Sequence, residues 1–246
     1  HRPRGFFGAG VDEPYAIVQL YRNNEIEPNV RATEQELFDG LKAKSVNCWP
    51  NVNFDIGAIN NFLNKFIPAG FYYKTFMWPK SFWYKFYEPF VRKAAGFGVA
   101  STKHDQEKYE HKYEYCDLLV TGSGPSGLAS AYAAAKNGAK VILAEDKPRF
   151  GGSLLTSEAN IGNQSGKEWA DKIVTELKEM PNVIVKNRAQ VFGYYDHNML
   201  VMLERLSDHL PKSKKYSPKQ RLWYIRAKEV VISSGSIECP LVFGNN

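Results

Sequence analysis

Long apolar runs are missing from this 246-residue sequence. No uninterrupted apolar stretch reaches the about 18 residues that a transmembrane helix needs, so we expect no membrane span. Cysteine is also scarce: Cys48, Cys116 and Cys239 are odd in number, and none forms a CxxC pair. The sequence therefore indicates neither a disulfide framework nor a zinc site. It favours a reducing, cytoplasmic location, with each cysteine a small buried apolar residue.

Signals for secretion, nucleic-acid binding and acid–base catalysis are lacking as well. No signal peptide and no recognisable nucleic-acid motif is visible, and the net charge of +6 is modest. Such an excess allows a nucleotide ligand but does not by itself indicate nucleic acid. None of the five histidines pairs with a nucleophile or a metal-spaced partner. We therefore predict no catalytic residue and no metal site in this chain.

The sequence divides near residue 114. In the first part, 1–114, residues 16–20 read as a short strand. Residues 32–43 read as a helix, with a capping threonine and three large apolar residues on one side. Residues 101–115 are polar and are interpreted as a linker or a solvated helix.

Residues 66–90 have the most unusual composition. They hold twelve aromatic residues in 25, interrupted by lysines and by three prolines that break any long helix. So much apolar area predicts a contact with another subunit or domain. The alternative is an ordinary core of the first part.

The second part, 115–246, begins with the alternation typical of a βαβ unit. The strand CDLLVTG is followed by an alanine-rich helix that ends at Gly138, and then by the strand AKVILAED. An amphipathic helix over 166–180 and the strand NVIVKN follow. Two longer segments after them read as a β-meander joined by a basic, solvated hairpin loop. We predict an α/β fold: a Rossmann-like dinucleotide-binding domain with a β-meander, preceded by an irregular, aromatic-rich α+β segment.

The stretch TGSGPSG lies between the first strand and its helix. In such a unit the first glycine permits the turn, the second lets backbone approach a pyrophosphate, and the third lets the helix pack on the strand. Gly122, Gly124 and Gly127 hold these places, and a helix starting near Ser126 directs N–H groups at the anion. Glu145 ends the second strand, where a carboxylate can accept both ribose hydroxyl hydrogens. The alternative is a glycine loop that has lost its ligand.

Two later glycine turns fit the same site, although each alone would be an ordinary turn. Gly151 and Gly152 leave room for a ribose or phosphate, and Gly235 follows a strand that such folds bring back towards the cofactor. The candidate cofactor-binding residues from this pattern are Gly122, Gly124, Pro125, Ser126, Gly127, Glu145, Asp146, Lys147, Arg149, Gly151, Gly152 and Gly235.

These residues carry a family resemblance. GSGPSGLASAYAAAKNGAKVILAED followed by FGGSL resembles the pyridine nucleotide-disulfide oxidoreductases. HRPRGFFGAGVDEPYAIVQL, EPNVRATEQELFDGL, AGFYYKTFMWP and the closing PLVFGNN resemble the alpha subunit of heterotetrameric sarcosine oxidase. In that family HRPRG follows a β-grasp domain and the chain continues into a folate-binding domain. We therefore interpret the sequence as a piece of a longer polypeptide.

The resemblance implies the function. Such an oxidase demethylates sarcosine to glycine, reduces oxygen to hydrogen peroxide and passes the one-carbon unit to tetrahydrofolate. The alpha subunit would bind NAD without turning it over, with Ser153 as a further contact that the resemblance implies, and would assemble with beta, gamma and delta subunits. FAD would lie on the beta subunit and FMN near the interface. We therefore expect the present chain to be inactive by itself.

Three other interpretations stay open at this point. The first is a self-sufficient oxidoreductase that uses FAD or NAD(P), although only one dinucleotide motif and no redox cysteine pair is visible. The second is a subunit of a related amine or amino-acid dehydrogenase. The third is a binding module whose Rossmann-like unit is structural. The carboxylates of Glu145 and Asp146 favour NAD over NADP, and the resemblance favours NAD over FAD.

Overall fold

A computed structural model describes residues 17–22, 25–32, 35–46, 48–51, 53–59, 78–99, 101–105, 107–210 and 217–236. The chain divides into two compact units, one ending at Asp105 and the other continuing beyond it. The domain boundary proposed between residues 114 and 115 falls inside a strand and stays a prediction. The two termini, the aromatic residues before Trp78, most of the basic loop and Cys239 lie outside the described residues.

The first unit contains a small antiparallel sheet with the strand order β2-β1-β3. Its strands are β1 (Ile17–Arg22), β2 (Glu25–Arg31) and β3 (Lys42–Ser45). The strand predicted at 16–20 is confirmed from Ile17 onwards, and its apolar residues Ile17 and Leu20 are buried.

The helix predicted over 32–43 is wrong in the residues that the structure describes. Lys42 and Ala43 pair with β1 as part of β3, and Leu37, which should lie on the apolar side of a helix, is 88% exposed. Pairing with β1 gives this segment backbone hydrogen bonds, and such tertiary contacts outweigh a weak local helix preference.

The described part of the aromatic segment is helical but short. A 3₁₀ turn (Lys80–Phe82) and a π-helical turn (Trp83–Tyr87) lead into α1 (Glu88–Ala95), which ends at a left-handed Gly96. Pro89 lies in the first turn of α1, directly after the π-helical turn, so the helical chain continues across this proline.

The second unit is built on a six-stranded sheet with the order β8-β5-β4-β11-β10-β9. The first four strands in this order are mutually parallel, and β10 pairs antiparallel with both β11 and β9. The α/β class and the meander are thus confirmed. The strands are β4 (Tyr109–Thr121), β5 (Val141–Ala144), β8 (Val183–Lys186), β9 (Ala189–Tyr195), β10 (Met199–Arg205) and β11 (Gln220–Ile232).

Two helices follow the predicted βα alternation. They are α2 (Pro125–Lys136), between β4 and β5, and α3 (Gly166–Glu179), before β8. A two-stranded ribbon precedes α3 and consists of β6 (Asn160–Ile161) and β7 (Gln164–Ser165). Among the helices in the described ranges, none combines the length and the apolar character required to cross a membrane.

The linker or solvated helix predicted at 101–115 is wrong from Tyr109 onwards, because residues 109–115 form the first half of β4. They pair in parallel with residues 220–226 of β11. The strand was not predicted because its side chains are mostly polar. They nevertheless alternate between the two faces of the sheet: Lys112 lies 4.3 Å from the ring of the buried Trp223, whereas Tyr113 is 75% exposed. The long partner strand β11 provides hydrogen-bond partners for the backbone N–H and C=O groups of this segment.

Apolar residues cover both faces of the six-stranded sheet. On one face Val120 and Leu143 pack with Leu128 of α2 and Leu177 of α3. On the other face Leu119 packs in a cluster that includes Met202, Trp223 and Ile225. Burial on both faces is typical of parallel strands in α/β folds, and it explains why LLV at 118–120 and VILA are apolar without alternation. The carboxyl ends of β4 and β5 are thereby held next to each other, where the candidate site lies.

Candidate functional site

The three glycines of TGSGPSG have different structural roles. Gly122 has a φ of +96°, and a Cβ there would lie 2.3 Å from the carbonyl oxygen of Ser233. A Cβ on Gly127 would lie 2.0 Å from the carbonyl oxygen of Gly122. By contrast, a Cβ on Gly124 would have no atom of the described residues within 4 Å, apart from its neighbours in the chain. The outer two glycines are therefore required by packing, and the middle one leaves the backbone open to a ligand.

The open glycine also lies directly before the first turn of α2. This helix begins at Pro125, one residue before the predicted start, and no side-chain hydrogen bond caps its N-terminus at Gly124. The other helix of the unit is treated differently: Ser165 and Glu168 form a reciprocal capping box at the start of α3. The first turn of α2 therefore keeps N–H groups and a positive helix end available for an anion.

Glu145 follows β5 directly and lies beneath the glycine loop. Its side chain is buried, at 6% exposure, and its Oε2 accepts hydrogen bonds from the backbone N–H (2.9 Å) and the hydroxyl of Ser123. Oε1 accepts the backbone N–H of Lys147 at 2.9 Å. Burial raises the pKa of the Glu145 carboxyl, the neighbouring Asp146 adds to the rise, and the hydrogen bonds from Ser123 and Lys147 oppose it.

The turn at 151–152 folds onto the glycine loop. The N–H of Gly151, whose φ is +121°, donates to the carbonyl oxygen of Ser123 at 3.1 Å. Gly152 has a φ of +53°, and a Cβ there would lie 2.9 Å from Cα of Gly124. Both residues thus permit two backbone segments to meet, which adds a structural requirement to the predicted ligand contact.

The remaining candidate residues surround this centre. Pro125, Ser126, Lys147, Arg149, Gly152, Ser153 and Gly235 are exposed, and Asp146 is half-buried. Gly235 has a φ of +72°, and among the described atoms none lies within 4 Å of its Cβ position. The structure therefore gathers the glycine loop, Glu145 and the 151–152 turn, while the ligand contacts of the exposed residues stay predictions.

Two serines are more closely involved than the sequence indicated. Ser233 lies two residues before Gly235, and its hydroxyl donates to the carbonyl oxygens of Thr121, at 2.9 Å, and Gly122, at 3.0 Å. Ser123 had no assigned role, yet it is completely buried and contacts both Glu145 and Gly151. The one available signal was a small hydroxyl residue between two glycines.

Metal and thiol chemistry gain no support from the described residues. Within these ranges no cluster of three or more histidine, cysteine or acidic side chains is arranged to hold a metal ion. Cys116 is buried in the sheet, and burial raises the pKa of its thiol to about 12. A thiol with such a pKa is not a nucleophile near neutral pH, in agreement with its interpretation as a small apolar residue.

Known proteins match both the site and the whole chain. Residues 117–199, from β4 to the start of β10, match the family described as FAD dependent oxidoreductase. Over all 246 residues the chain is 48% identical to "Sarcosine oxidase subunit alpha" of Rhizobium meliloti (strain 1021). The chain is a homologue of the sarcosine oxidase alpha subunit. The alpha subunit of Corynebacterium sp. (strain U-96) also matches over the full chain, at 30% identity.

These alpha-subunit relatives are much longer than the present chain. It spans 25% of the Rhizobium protein and 21% of the Corynebacterium protein. Among solved structures, the L-proline dehydrogenase from P. horikoshii is similar over 60% of this chain and 28% of its own, with a TM-score of 0.44 and 20% identity. The sequence matches agree with a dinucleotide-binding unit of the flavoprotein oxidoreductase type.

Proposed function

We propose that this chain is the NAD-binding part of the alpha subunit of a heterotetrameric sarcosine oxidase. The whole oxidase would demethylate sarcosine to glycine, with peroxide formation and transfer of the one-carbon unit to tetrahydrofolate. The observation that carries the proposal is the open backbone at Gly124, between an uncapped helix and the carboxylate of Glu145. The full-length similarity to two alpha subunits supports the choice of enzyme.

The residues of the site fit a dinucleotide. A pyrophosphate would lie against Gly124 and accept hydrogen bonds from the N–H groups at the start of α2. A carboxylate has about four lone-pair positions, and the described residues use two on Oε2 and one on Oε1 of Glu145. Glu145 would therefore accept an adenosine ribose hydroxyl through Oε1.

Substrate oxidation would be performed elsewhere in the complex, with beta, gamma and delta subunits as partners. A flavin bound elsewhere in the complex would accept the hydride from the amine. This chain would bind and orient its own nucleotide. Purified alone with FAD and sarcosine, the chain should make no peroxide above background. Nucleotide released by heat from the purified protein should have the mass of NAD. Recovery of no nucleotide, or turnover by the chain alone, would overturn the proposal.

A second candidate is an FAD site, and with it a self-sufficient reductase or a subunit of a related amine dehydrogenase. The match of residues 117–199 to FAD dependent oxidoreductases favours this alternative. FAD shares its adenosine half with NAD, so the glycine loop and Glu145 fit both. Release of FAD instead of NAD would decide for the second candidate.

Glu145 provides a test of nucleotide choice. We expect Glu145→Ala to weaken NAD binding by roughly ten- to a hundred-fold, because hydrogen bonds to a charged group contribute about 1.5–3 kcal/mol. NADP should bind the native protein more weakly than NAD, since its 2′-phosphate would face Glu145 and Asp146. Calorimetric titration with NAD, NADP and FAD measures both effects.

The control is Glu158→Ala, which removes an exposed carboxylate from the following loop and should leave all three affinities unchanged. Because burial raises the pKa of Glu145, the carboxylate takes up a proton at a pH above its ordinary 4.5. NAD affinity should therefore begin to fall at a higher pH than for an exposed glutamate. Equal affinity for NADP and NAD, or an unchanged affinity in Glu145→Ala, would contradict the role of Glu145.

The aromatic segment supports a subunit contact. Trp78, Tyr84 and Phe90 are 82%, 83% and 68% exposed in the described chain, so they do not form a core there. Large exposed aromatic residues are typical of interfaces. We propose that this surface contacts a partner subunit or another domain.

Changing Trp78 and Phe90 together to serine should weaken assembly of the complete alpha subunit with its partners by about ten-fold or more. The unfolding midpoint should stay within error, because both residues are already exposed. Leu37→Ser is a matched control, since Leu37 is an 88% exposed apolar residue outside this segment of the sequence. Unchanged assembly of the double variant, measured by sedimentation, would exclude this surface.

A further inference from the structure

Ser123 connects the three parts of the candidate site. Its hydroxyl and its N–H both donate to Oε2 of Glu145. Its carbonyl oxygen and its hydroxyl oxygen both accept the N–H of Gly151, at 3.1 and 3.2 Å. The residue is completely buried and lies between the packing glycine Gly122 and the open glycine Gly124. Every polar group of Ser123 therefore contacts either the carboxylate or the 151–152 turn.

We infer that Ser123 is a positioning residue that orients the Glu145 carboxylate towards the nucleotide ribose and couples it to the 151–152 turn. This inference rests on the proposed function, because it assigns a role within the same site. Ser123 would touch no nucleotide itself. It would act through the two groups that it holds.

The chemistry of a hydroxyl explains why a serine fits this position. A hydroxyl donates one hydrogen and accepts others at the same time, so a single side chain can hold a carboxylate and a backbone N–H. The two donors from Ser123 occupy Oε2, while Oε1 accepts the N–H of Lys147. An alanine would leave Oε2 with one donor and allow the carboxylate to rotate.

The charged surroundings of Glu145 set the background for a titration. Asp146 raises the pKa of Glu145, after burial as the larger cause, and Nζ of Lys147 lies 3.7 Å from Oδ2 of Asp146. From β10, Arg205 donates to the carbonyl oxygen of Asp146 at 3.0 Å. Against this background the Ser123 hydroxyl lowers the pKa of Glu145, because it donates to the charged form.

The test is Ser123→Ala in the full chain, with carbon-13 NMR titration of the Glu145 side chain and calorimetry with NAD. We expect the pKa of Glu145 to rise above the native one and NAD affinity to fall by roughly ten-fold at neutral pH. The acid loss of NAD binding should also move to a higher pH. A serine with only a packing role would leave the Glu145 titration unchanged.

Ser130→Ala is the matched control, because the Ser130 hydroxyl donates only within α2, to the carbonyl oxygen of Ser126, at 2.8 Å. If Ser123→Ala fails to fold, Ser123→Cys keeps the size with a weaker donor and should raise the Glu145 pKa as well. An unchanged Glu145 pKa together with native NAD affinity would overturn the inference while leaving the proposed function intact. If the native protein binds no dinucleotide, the proposed function is wrong, and so is the role of Ser123 in orienting Glu145 towards a ribose. The titration of Glu145 would still measure the hydrogen bond between Ser123 and Glu145.

Discussion

Gly127→Ala should destabilise the protein by about 3 kcal/mol or more, as expected for severe overpacking at a buried position. The added methyl group would lie 2.0 Å from the carbonyl oxygen of Gly122 and 2.5 Å from the hydroxyl of Ser233. Neither neighbour can move freely. The N–H of Gly122 donates to the carbonyl oxygen of Ala144, and the N–H of Ser233 donates to that of Thr121. Denaturant unfolding followed by circular dichroism measures the loss, and dinucleotide binding should disappear with it.

Gly124→Ala is the informative counterpart. The backbone there has φ −67° and ψ −177°, which alanine adopts without strain, and the new methyl group meets no described atom within 4 Å. Stability should therefore stay within about 1 kcal/mol of the native value. Dinucleotide affinity should nevertheless fall by about a hundred-fold, because the methyl group would occupy the place of the pyrophosphate. Native affinity in Gly124→Ala would exclude this loop as the phosphate site.

The second large effect is expected at Glu204, far along the chain from the glycine loop. Its buried carboxylate accepts the indole N–H of Trp223 at 2.7 Å and lies 3.0 Å from Nζ of Lys186 and 3.2 Å from Nη1 of Arg221. Removing the carboxylate leaves the indole N–H of the buried Trp223 without an acceptor, while the partly exposed cations of Lys186 and Arg221 lose one partner. Glu204→Ala should therefore cost about 2–3 kcal/mol of stability, measured by denaturant unfolding.

Glu110→Ala is the matched control for Glu204. Glu110 also pairs with Arg221, at 2.8 Å, but its side chain is 47% exposed whereas that of Glu204 is 6% exposed. An exposed ion pair contributes about 1 kcal/mol or less, so this variant should unfold nearly like the native protein. Comparable losses in the two variants would show that burial does not decide the contribution of Glu204.

The sequence by itself determined the elements that depend on short-range pattern. The strand VILA, the alanine-rich helix and the amphipathic helix before β8 were predicted with nearly correct bounds, and the second half of β4 was predicted as the strand CDLLVTG. The same holds for the placement of Gly122, Gly124 and Gly127 between a strand and a helix. Hydrophobic period and glycine conformation are properties of neighbouring residues, so they are legible without the fold.

The tertiary structure decided what depends on distant partners. Residues 42–45 became a strand because β1 pairs with them, and residues 109–115 became a strand because β11 lies alongside. Within the site, the reason for a glycine at 122 is Ser233, more than a hundred positions away. The reason for the orientation of Glu145 is Ser123. Such contacts are set by which backbones the sheet brings together, and no local preference of either residue encodes them.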